Sequence, residues 1–544
     1  MSPSSDPQDR PTGENPAAGQ KPASGADPTG EHSAASVAPS TAEPASVSDW
    51  AAVLVFGASA AVLVVELVAL RLLAPYLGLT LETNTLVIGM ALTAIAAGSW
   101  WGGQAADRID PRAALAPLLA ASGAAVAATP FLVRLAGTLA DGALLLVASA
   151  VTIVVPGALL SAVTPMVTKL RLTSLTQTGT IVGRLSGIGT AGSIVGTVVT
   201  GFVLVSRVPV TGIMVGLGVA LLLAAVAVAV LLRRIERRHL AGGAAAALVL
   251  GAATVATPSG CDAETTYHCA TVVADPQRPD GRTLVLDGLR HSYVDVDVAD
   301  PTHLEFAYVR SIAAAVDAFA PPGSLRVHNI GGGGLTLPRY LADARPGTSG
   351  TVSEIDAGVV RIDREDLALP ADLPMDIRVE DGRVGLRAIA DTSVDLVIGD
   401  AFGGVSVPWH LATQEAVGQI RRVLAPGGLY AVNLIDYAPL DFARAEVATI
   451  RTQFPHVLVA SSPPALAPSA AGGRGGAGGN LVVLASQRPL DAQAWQRQLT
   501  ARGVPWTVLS DPDIDAWVGD APLLTDDYAP VDQLLTPYPA PAGV

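Results

Sequence analysis

A run of four glycines, followed at a set distance by an acid, holds the residues most able to do chemistry in this chain. The segment VHNIGGGGLTLPRYLADARPGTSGTVSEID, residues 327–356, contains a short apolar run, the glycines, a helix-like stretch and a second strand-like run that ends in acids. Glycine lets the backbone turn sharply and approach a ligand closely, and an acid ending the second strand can bind ribose hydroxyls. Gly331 and Glu354 are separated by about the 20 residues expected for such a pair. The GxGxxG pattern of dinucleotide enzymes is missing, which favours an adenosyl nucleoside as the ligand.

Two further acids follow strand-like runs later in the chain. Asp381 lies in VEDGR beside Gly382, and Asp400 ends the apolar run of VIGDAF. Because ligands of parallel sheets bind beyond the carboxyl ends of the strands, we expect both acids to meet Glu354 and the glycine loop in one crevice. Glu354 would then bind ribose, Asp381 would accept a hydrogen bond from an adenine amino group, and Asp400 would face the reacting end. For any one of these acids alone, a solvated surface position remains the alternative.

The elements that must position these residues begin at about residue 280. Strand-like runs such as RVHNIG, MDIRVEDG and GGLYAVNLI alternate there with helical stretches such as 303–319 and 411–424. This alternation predicts a parallel sheet with helices on both faces. The predicted fold class is therefore an α/β Rossmann-like domain of the adenosylmethionine-transferase type at 326–544, with a linker and a small β-hairpin segment before it at 258–325.

The first half of the chain has a different composition. Residues 1–48 are rich in Pro, Ser, Ala and Gly, which predicts a disordered tail. From 49 to 257 the chain is mostly apolar, and the candidate spans are 51–74, 84–101, 113–133, 139–160, 181–205, 210–232 and 241–256. Each approaches the roughly 20 residues needed to cross a bilayer, although the last is short and alanine-rich. We therefore predict a multi-span α-helical membrane region of about seven helices surrounded by lipid.

The basic residues between these spans predict the orientation. The cations between spans two and three, between four and five, and after six fall on one side of the membrane: Arg108, Arg112, Lys169, Arg171, Arg233, Arg234, Arg237 and Arg238. If that side is the cytoplasm and the last span crosses, the C-terminal domain of this cell-membrane protein is extracytoplasmic. Cys261 and Cys269 follow directly, and they could form a disulfide in an oxidising compartment, with two free thiols as the alternative. The formal charge of −14 argues against nucleic acid as a partner.

Taken together, the motifs resemble those of the spermidine synthases, the polyamine aminopropyltransferases, and most closely the bacterial form fused behind a multi-span membrane region. The resemblance covers about 281–440 and the segment LLTDDYAPVD at 523–532. LDGLRHSYVDVDVADPTHLEFAYV resembles the opening hairpin and the helix after it, and IGGGGLTLPR resembles the glycine loop. SEID resembles the ribose acid, EDG the adenine turn and VIGDAF the end of the catalytic strand.

The resemblance implies transfer of an aminopropyl group from decarboxylated S-adenosylmethionine, the co-substrate, to a polyamine or another small amine. It implies that Asp400 is catalytic. It assigns the nucleoside to Gly331, Gly332, Gly333, Glu354, Asp381 and Gly382. It assigns the amine to His291, His303 and Tyr528. No metal is implied, and a homodimer is left open.

Two positions depart from the family pattern. Gly334 stands where the glycine loop carries an aspartate, and Gly403 stands where the catalytic strand carries a second acid. We therefore expect slow activity or an acceptor other than putrescine. His291 could replace part of the missing function because the unperturbed pKa of histidine lies near neutrality. Two alternatives stay open, namely methyl transfer from S-adenosylmethionine and a non-catalytic polyamine sensor or transporter.

Overall fold

The described chain consists of a helical N-terminal region and a mixed α/β region. The computed structural model describes residues 49–77, 81–139, 142–172, 178–205, 207–232, 251–252, 260–296, 302–466 and 478–536. The predicted tail at 1–48 lies outside the described residues, and so does the predicted seventh span at 241–256 apart from 251–252.

The N-terminal region is built from apolar helices. They are α1 (Asp49–Leu77), α2 (Leu81–Arg108), α3 (Pro111–Leu139), α4 (Gly142–Ser161), α5 (Val163–Arg171), α6 (Thr178–Val199, continued by a π-helical turn at Thr200–Leu204) and α7 (Val210–Leu231). Six spans in the described residues are long and apolar enough to cross a membrane, which supports a multi-pass membrane protein. The predicted fourth span at 139–160 corresponds to α4, and α5 follows it almost without a break, so the apolar run extends to Arg171.

Small residues let these helices approach closely. In α6, a Cβ atom at Gly192 would lie 2.2 Å from the carbonyl oxygen of Phe56, and one at Gly196 would lie 2.7 Å from that of Ala60. Both positions are therefore contact points with α1. Membrane helices associate largely through van der Waals packing, so small side chains at such points bring two backbones together.

A small antiparallel sheet follows the helices. It contains β1 (Ala263–Glu264), β2 (Cys269–Ala274), β3 (Gly281–Leu286) and β4 (Leu289–Asp295), in that order. The predicted hairpin is thus part of a larger four-stranded sheet. Asp287 and Gly288 connect β3 to β4 with φ angles of 51° and 81°, the left-handed conformation that two-residue hairpin turns require. Cys261 and Cys269 are joined by a disulfide, which decides between the disulfide and the two free thiols that the sequence allowed.

The α/β region confirms the predicted Rossmann-like fold. Its elements are α8 (Ala307–Phe319), β5 (Arg326–Ile330), α9 (Thr336–Ala344), β6 (Ser349–Glu354), α10 (Ala357–Glu365), β7 (Met375–Val379), α11 (Gly382–Ala388), β8 (Val394–Gly399), α12 (Gln414–Val423), β9 (Leu424–Tyr437), α13 (Asp441–Arg451), β10 (His456–Ser461), α14 (Pro463–Leu466), β11 (Gly478–Ser486), α15 (Ala492–Ala501), β12 (Thr507–Leu509), α16 (Asp511–Val518) and α17 (Val531–Leu534). The strand order is β12-β10-β11-β9-β8-β5-β6-β7.

The predicted parallel sheet is correct for β5 to β9, and it is extended at one edge by β10 to β12, which were not predicted. β11 pairs antiparallel with both β9 and β10, and β12 pairs antiparallel with β10. Apolar side chains cover both faces of the sheet, with Phe442 and Phe454 in one layer and Ile312 and Trp495 in the other.

Candidate functional site

A cavity of about 530 Å³ opens at the carboxyl ends of the central parallel strands. From β5 the chain proceeds to β6 and β7 on one side of the sheet, and later to β8 and β9 on the other. The space between β5 and β8 is therefore the topological switch point, where open α/β sheets bind ligands. The cavity is lined by the glycine loop and by the three predicted acids Glu354, Asp381 and Asp400.

The glycine loop follows β5 directly. Gly331 has a φ of 100°, and a Cβ atom there would lie 2.3 Å from the carbonyl oxygen of Asp400. Glycine is therefore required at this position, where the loops after β5 and β8 touch. The next residue, Gly332, donates its backbone N–H to Oε2 of Glu354 at 2.7 Å. The glycine loop is thus hydrogen-bonded to the end of β6 and in close contact with the residue that follows β8.

Glu354 ends β6 and is only 9% exposed. Its second oxygen, Oε1, accepts the backbone N–H of Asp356 at 2.8 Å. Burial raises the pKa of Glu354, although the two backbone donors oppose that rise. The carboxyl group therefore fixes the glycine loop against the end of β6 while it lines the cavity. A carboxylate oxygen has more than one acceptor site, so Glu354 can still accept from ribose hydroxyls.

Asp381 is the N-cap of α11. Its Oδ1 accepts the backbone N–H groups of Arg383 and Val384 at 3.0 Å each, and its Oδ2 lies 2.7 Å from Nε2 of His410. Burial pushes the pKa of Asp381 upward, but the hydrogen bonds from His410 and the backbone outweigh it and hold the pKa below its usual value. A Cβ atom at Gly382 would lie 2.4 Å from Cγ2 of Ile330, so this turn packs tightly against β5.

Asp400 follows β8 and is held by two neutral donors. Its Oδ1 accepts from Nδ2 of Asn433 at 2.9 Å, and its Oδ2 accepts from the Tyr308 hydroxyl at 3.1 Å. Asn480 supports the arrangement by donating to Oδ1 of Asn433 at 2.9 Å. Burial raises the pKa of Asp400 to about 6, against the effect of the two hydrogen bonds. A half-buried carboxyl group with that pKa can exchange a proton near neutral pH.

A histidine pair lies on the wall of the cavity that the small sheet contributes. Burial, and then the neighbouring His268, lower the pKa of His291 to about 4. His291 is therefore neutral at physiological pH and is a weaker base than its unperturbed pKa had implied. His268 itself lines the cavity, and its Nδ1 lies 2.7 Å from Oδ2 of Asp287.

The structure does not bring His303 or Tyr528 to this cavity. His303 lies against the Tyr293 ring, and its Nε2 is 3.2 Å from Oε2 of Glu305. Tyr528 is 60% exposed in a turn whose backbone pairs with Thr525. Asp526, in the same segment, accepts two hydrogen bonds of 2.7 Å from Arg383, which lies next to the Asp381 turn. Among the described residues, no group of three or more His, Cys, Asp or Glu could hold a metal ion.

Several cavity residues were missed in the sequence. Tyr308, Asn433, Asn480, Tyr267 and His268 are all part of its lining. Tyr308 lies within the LEFAYV segment, so its motif was recognised although its role was not. Asn433 and Asn480 lie on β9 and β11, and only the antiparallel pairing of those strands brings them together.

The fold and the site together define a class of protein: a Rossmann-like transferase-type domain with an anionic cavity at its switch point. No protein-family model matches the chain. The polyamine aminopropyltransferase of Vibrio vulnificus (strain CMCP6) is 25% identical over 244 residues, which are 42% of this chain and 75% of that relative. A probable polyamine aminopropyl transferase of Bifidobacterium longum (strain NCC 2705) is 31% identical over 105 residues, 19% of this chain and 23% of that one.

A solved structure matches the same part of the chain. The probable spermidine synthase from Corynebacterium glutamicum ATCC 13032 is 31% identical, with 52% of this chain and 100% of that chain covered and a TM-score of 0.45. The sequence identity extends over the whole of that protein. The chain belongs to the spermidine synthase family.

Gly403 and Gly334, where the sequence resemblance would place acids, should respond differently to substitution. At Gly403 a Cβ atom would meet only the Ser406 carbonyl oxygen, at 4.0 Å, so Gly403→Asp fits and adds a carboxylate near Asp400. At Gly334 φ is 70° and a Cβ atom would lie 2.2 Å from Oγ of Ser292, so Gly334→Asp should destabilise the fold by about 1–3 kcal/mol. Thermal unfolding tests this prediction. Equal melting temperatures for the two variants would contradict it.

Proposed function

We propose that the protein transfers an aminopropyl group from decarboxylated S-adenosylmethionine to an amine and releases methylthioadenosine. One observation carries the proposal: a single cavity joins the glycine loop and Glu354 to Asp400 and its hydrogen-bond donors, Tyr308 and Asn433. The first group suits the nucleoside, and the second suits the reacting amine. Identity with the Vibrio and Corynebacterium relatives supports the same reaction class.

The donor side is proposed to work through shape and hydrogen bonds. Glu354 accepts from the ribose hydroxyls, and the glycine backbone leaves room for the nucleoside. Asp381 and Gly382 form the adenine turn, which Arg383 holds through its paired hydrogen bonds to Asp526. A cationic sulfonium is also favoured beside carboxylates by charge attraction.

At the acceptor side, Asp400 is proposed to orient the amine and take its proton. The amine nitrogen forms a bond to the terminal carbon of the aminopropyl group, and the bond from that carbon to sulfur breaks. Its electron pair stays on sulfur, so methylthioadenosine leaves as a neutral thioether. The new ammonium loses one proton to Asp400, whose pKa of about 6 lets it be ionised before the step and release the proton afterwards.

The cavity wall next to Asp400 is formed by residues that affect which acceptor amine can bind. The guanidinium of Arg290 lies 5.0 Å from the centre of the Phe306 ring, and this ring stacks on Tyr308 with centres 6.0 Å apart. Tyr308 in turn donates to Asp400. A second ammonium extending along this wall would approach a cation, which is unfavourable. We therefore propose an acceptor with one reactive amine and an apolar or anionic remainder, in place of a diamine.

The nucleoside product distinguishes the proposed reaction from its rivals. Purified protein is incubated with decarboxylated S-adenosylmethionine and S-adenosylmethionine together, in the presence of an amine panel, and the nucleosides are separated by chromatography. We expect methylthioadenosine to accumulate only when an amine is present. S-adenosylhomocysteine in its place would indicate methyl transfer, and neither product would indicate a sensor or transporter.

The membrane orientation is also a proposal. Lys169 forms a 2.7 Å ion pair with Asp107, so the basic ends of α2 and α5 lie on one side, as the cation distribution requires. We propose that this side is cytoplasmic and that the C-terminal domain is extracytoplasmic. A phosphatase fused after residue 544 should then be active, and a fluorescent protein at the same place should be dim. The reverse pattern would contradict the orientation.

A further inference from the structure

A short loop closed by a disulfide connects the membrane helices with the donor side of the cavity. It comprises residues 261–269, which we call the disulfide loop, and its ends are joined through Cys261 and Cys269. Tyr267 and His268 within it line the cavity. The loop therefore forms part of the cavity wall while its two ends are covalently linked.

The membrane side of the disulfide loop is bound by two helices. The guanidinium of Arg71, within the apolar span of α1, donates to the carbonyl oxygens of Thr265 and Thr266. Glu264 accepts the backbone N–H of Val210, the first residue of α7. The first amides of a helix have no partner inside the helix, and a carboxylate is favoured there. A cation inside an apolar span is costly unless it finds partners, so Arg71 gains from this contact as well.

The other side of the disulfide loop reaches the donor site. Asp356, which is fully buried, accepts from the Thr265 hydroxyl and from the backbone N–H of Tyr267, the latter at 3.0 Å. Its own backbone N–H donates to Glu354, which in turn accepts from Gly332 of the glycine loop. An unbroken series of hydrogen bonds thus runs from the first membrane helix to the proposed ribose site.

The fit between the disulfide loop and the α/β domain is close. A Cβ atom at Gly358, in the first turn of α10, would lie 2.5 Å from Cβ of Thr265. Thr265 itself is only 5% exposed, and its hydroxyl also accepts the backbone N–H of His268 at 2.9 Å. A shift of this residue therefore changes the partners of Asp356 and the position of His268 together.

We infer that Arg71 is a positioning residue for the donor site, and that the membrane helices set donor affinity through the disulfide loop. The inference rests on the proposed function, because it concerns the same nucleoside site. Without Arg71, two adjacent carbonyl groups lose their shared donor and the loop is held by fewer contacts. Asp356 and Glu354 then lose the fixed geometry in which Glu354 faces the cavity.

The test compares variants of the full-length protein in detergent micelles. Arg71→Gln should weaken methylthioadenosine binding by about tenfold in calorimetry, since it removes a charged donor to two carbonyl groups. The KM for the donor should rise with kcat nearly unchanged, a split that general loss of folded protein does not produce. Arg71→Lys should bind methylthioadenosine more tightly than Arg71→Gln because it keeps the charge. It should bind less tightly than the unchanged protein because an ammonium lacks the planar fork of the guanidinium. Arg108→Gln is the matched control, since Arg108 ends α2 and bonds only Gln104 among its described partners.

Two further tests change the disulfide loop itself: one removes its contact with Asp356, and the other reduces its disulfide. Thr265→Val keeps the side-chain shape but removes the hydroxyl that donates to Asp356, so it should weaken binding even if Arg71→Gln does not fold. Reduction of the disulfide should weaken binding by the unchanged protein, and should have no effect on a Cys261→Ser, Cys269→Ser double variant. Unchanged affinity in both Arg71→Gln and Thr265→Val would overturn the inference. Failure of the unchanged protein to bind would instead overturn the proposed donor site itself.

Discussion

Asp400→Asn should lower turnover by roughly 10²–10⁴-fold, the usual contribution of a positioned general base. The amide keeps the size of the side chain but cannot take the proton that the newly formed ammonium loses. Methylthioadenosine affinity should stay nearly unchanged, because Glu354 and the glycine loop bind the nucleoside. Initial rates with saturating donor measure the first quantity, and calorimetry measures the second.

The control for this prediction lies on the same strand. Asp395 is on β8 but pairs with Arg326 and does not line the cavity, so Asp395→Asn should leave the turnover rate close to that of the unchanged protein. The account of the site is contradicted if Asp400→Asn turns over as fast as the parent.

The pH dependence follows from the raised pKa of Asp400. The carboxyl group is ionised above its pKa of about 6, and only the ionised form can accept a proton. Activity of the unchanged protein should therefore fall as the pH is lowered through about 6, and the Asp400→Asn variant should lack that inflection.

Glu354→Ala should weaken methylthioadenosine binding by roughly 10- to 100-fold, as expected when a charged hydrogen-bonding group is lost. The substitution removes the ribose acceptor and also leaves the backbone N–H groups of Gly332 and Asp356 without their partner. Glu354→Gln should lose less, because its amide oxygen can still accept one of the two bonds. Calorimetry with methylthioadenosine on the unchanged protein and the two variants measures the order of their affinities directly.

Glu365 supplies the control for that series. It is exposed at the end of α10, so Glu365→Ala should bind like the unchanged protein. If Glu354→Ala binds methylthioadenosine with the parent affinity, the ribose assignment is wrong.

The sequence predicted the part of the site that depends on local pattern. The glycine loop, Glu354, Asp381 and Asp400 each belong to a strand followed by a turn, and parallel strands bring such turns to one edge. Tyr308, Asn433 and Asn480 could not be found this way. Their convergence on Asp400 depends on the order of β5, β8, β9 and β11 in the sheet, which non-local pairing decides.

For the fold as well, the sequence predicted the features set by local pattern and did not predict those set by contacts between distant residues. Long apolar runs predicted the membrane helices because hydropathy is a local property, and six spans were found in the described residues. The antiparallel strands at one edge of the sheet were not predicted, since short apolar strands look alike in either direction. The contact of Arg71 with Thr265 and Thr266 joins residues nearly 200 positions apart, and no local pattern reports such a pair.

The mass of the amine product tests the central claim most directly. Purified protein is given decarboxylated S-adenosylmethionine carrying a heavy-isotope label in its aminopropyl group, together with a panel of monoamines and diamines, and the amines are analysed by mass spectrometry. The account predicts an amine that has gained the labelled aminopropyl group, formed in equal amount with methylthioadenosine and absent from the Asp400→Asn reaction. Unlabelled amines at every concentration, with intact donor recovered, would contradict aminopropyl transfer by this protein.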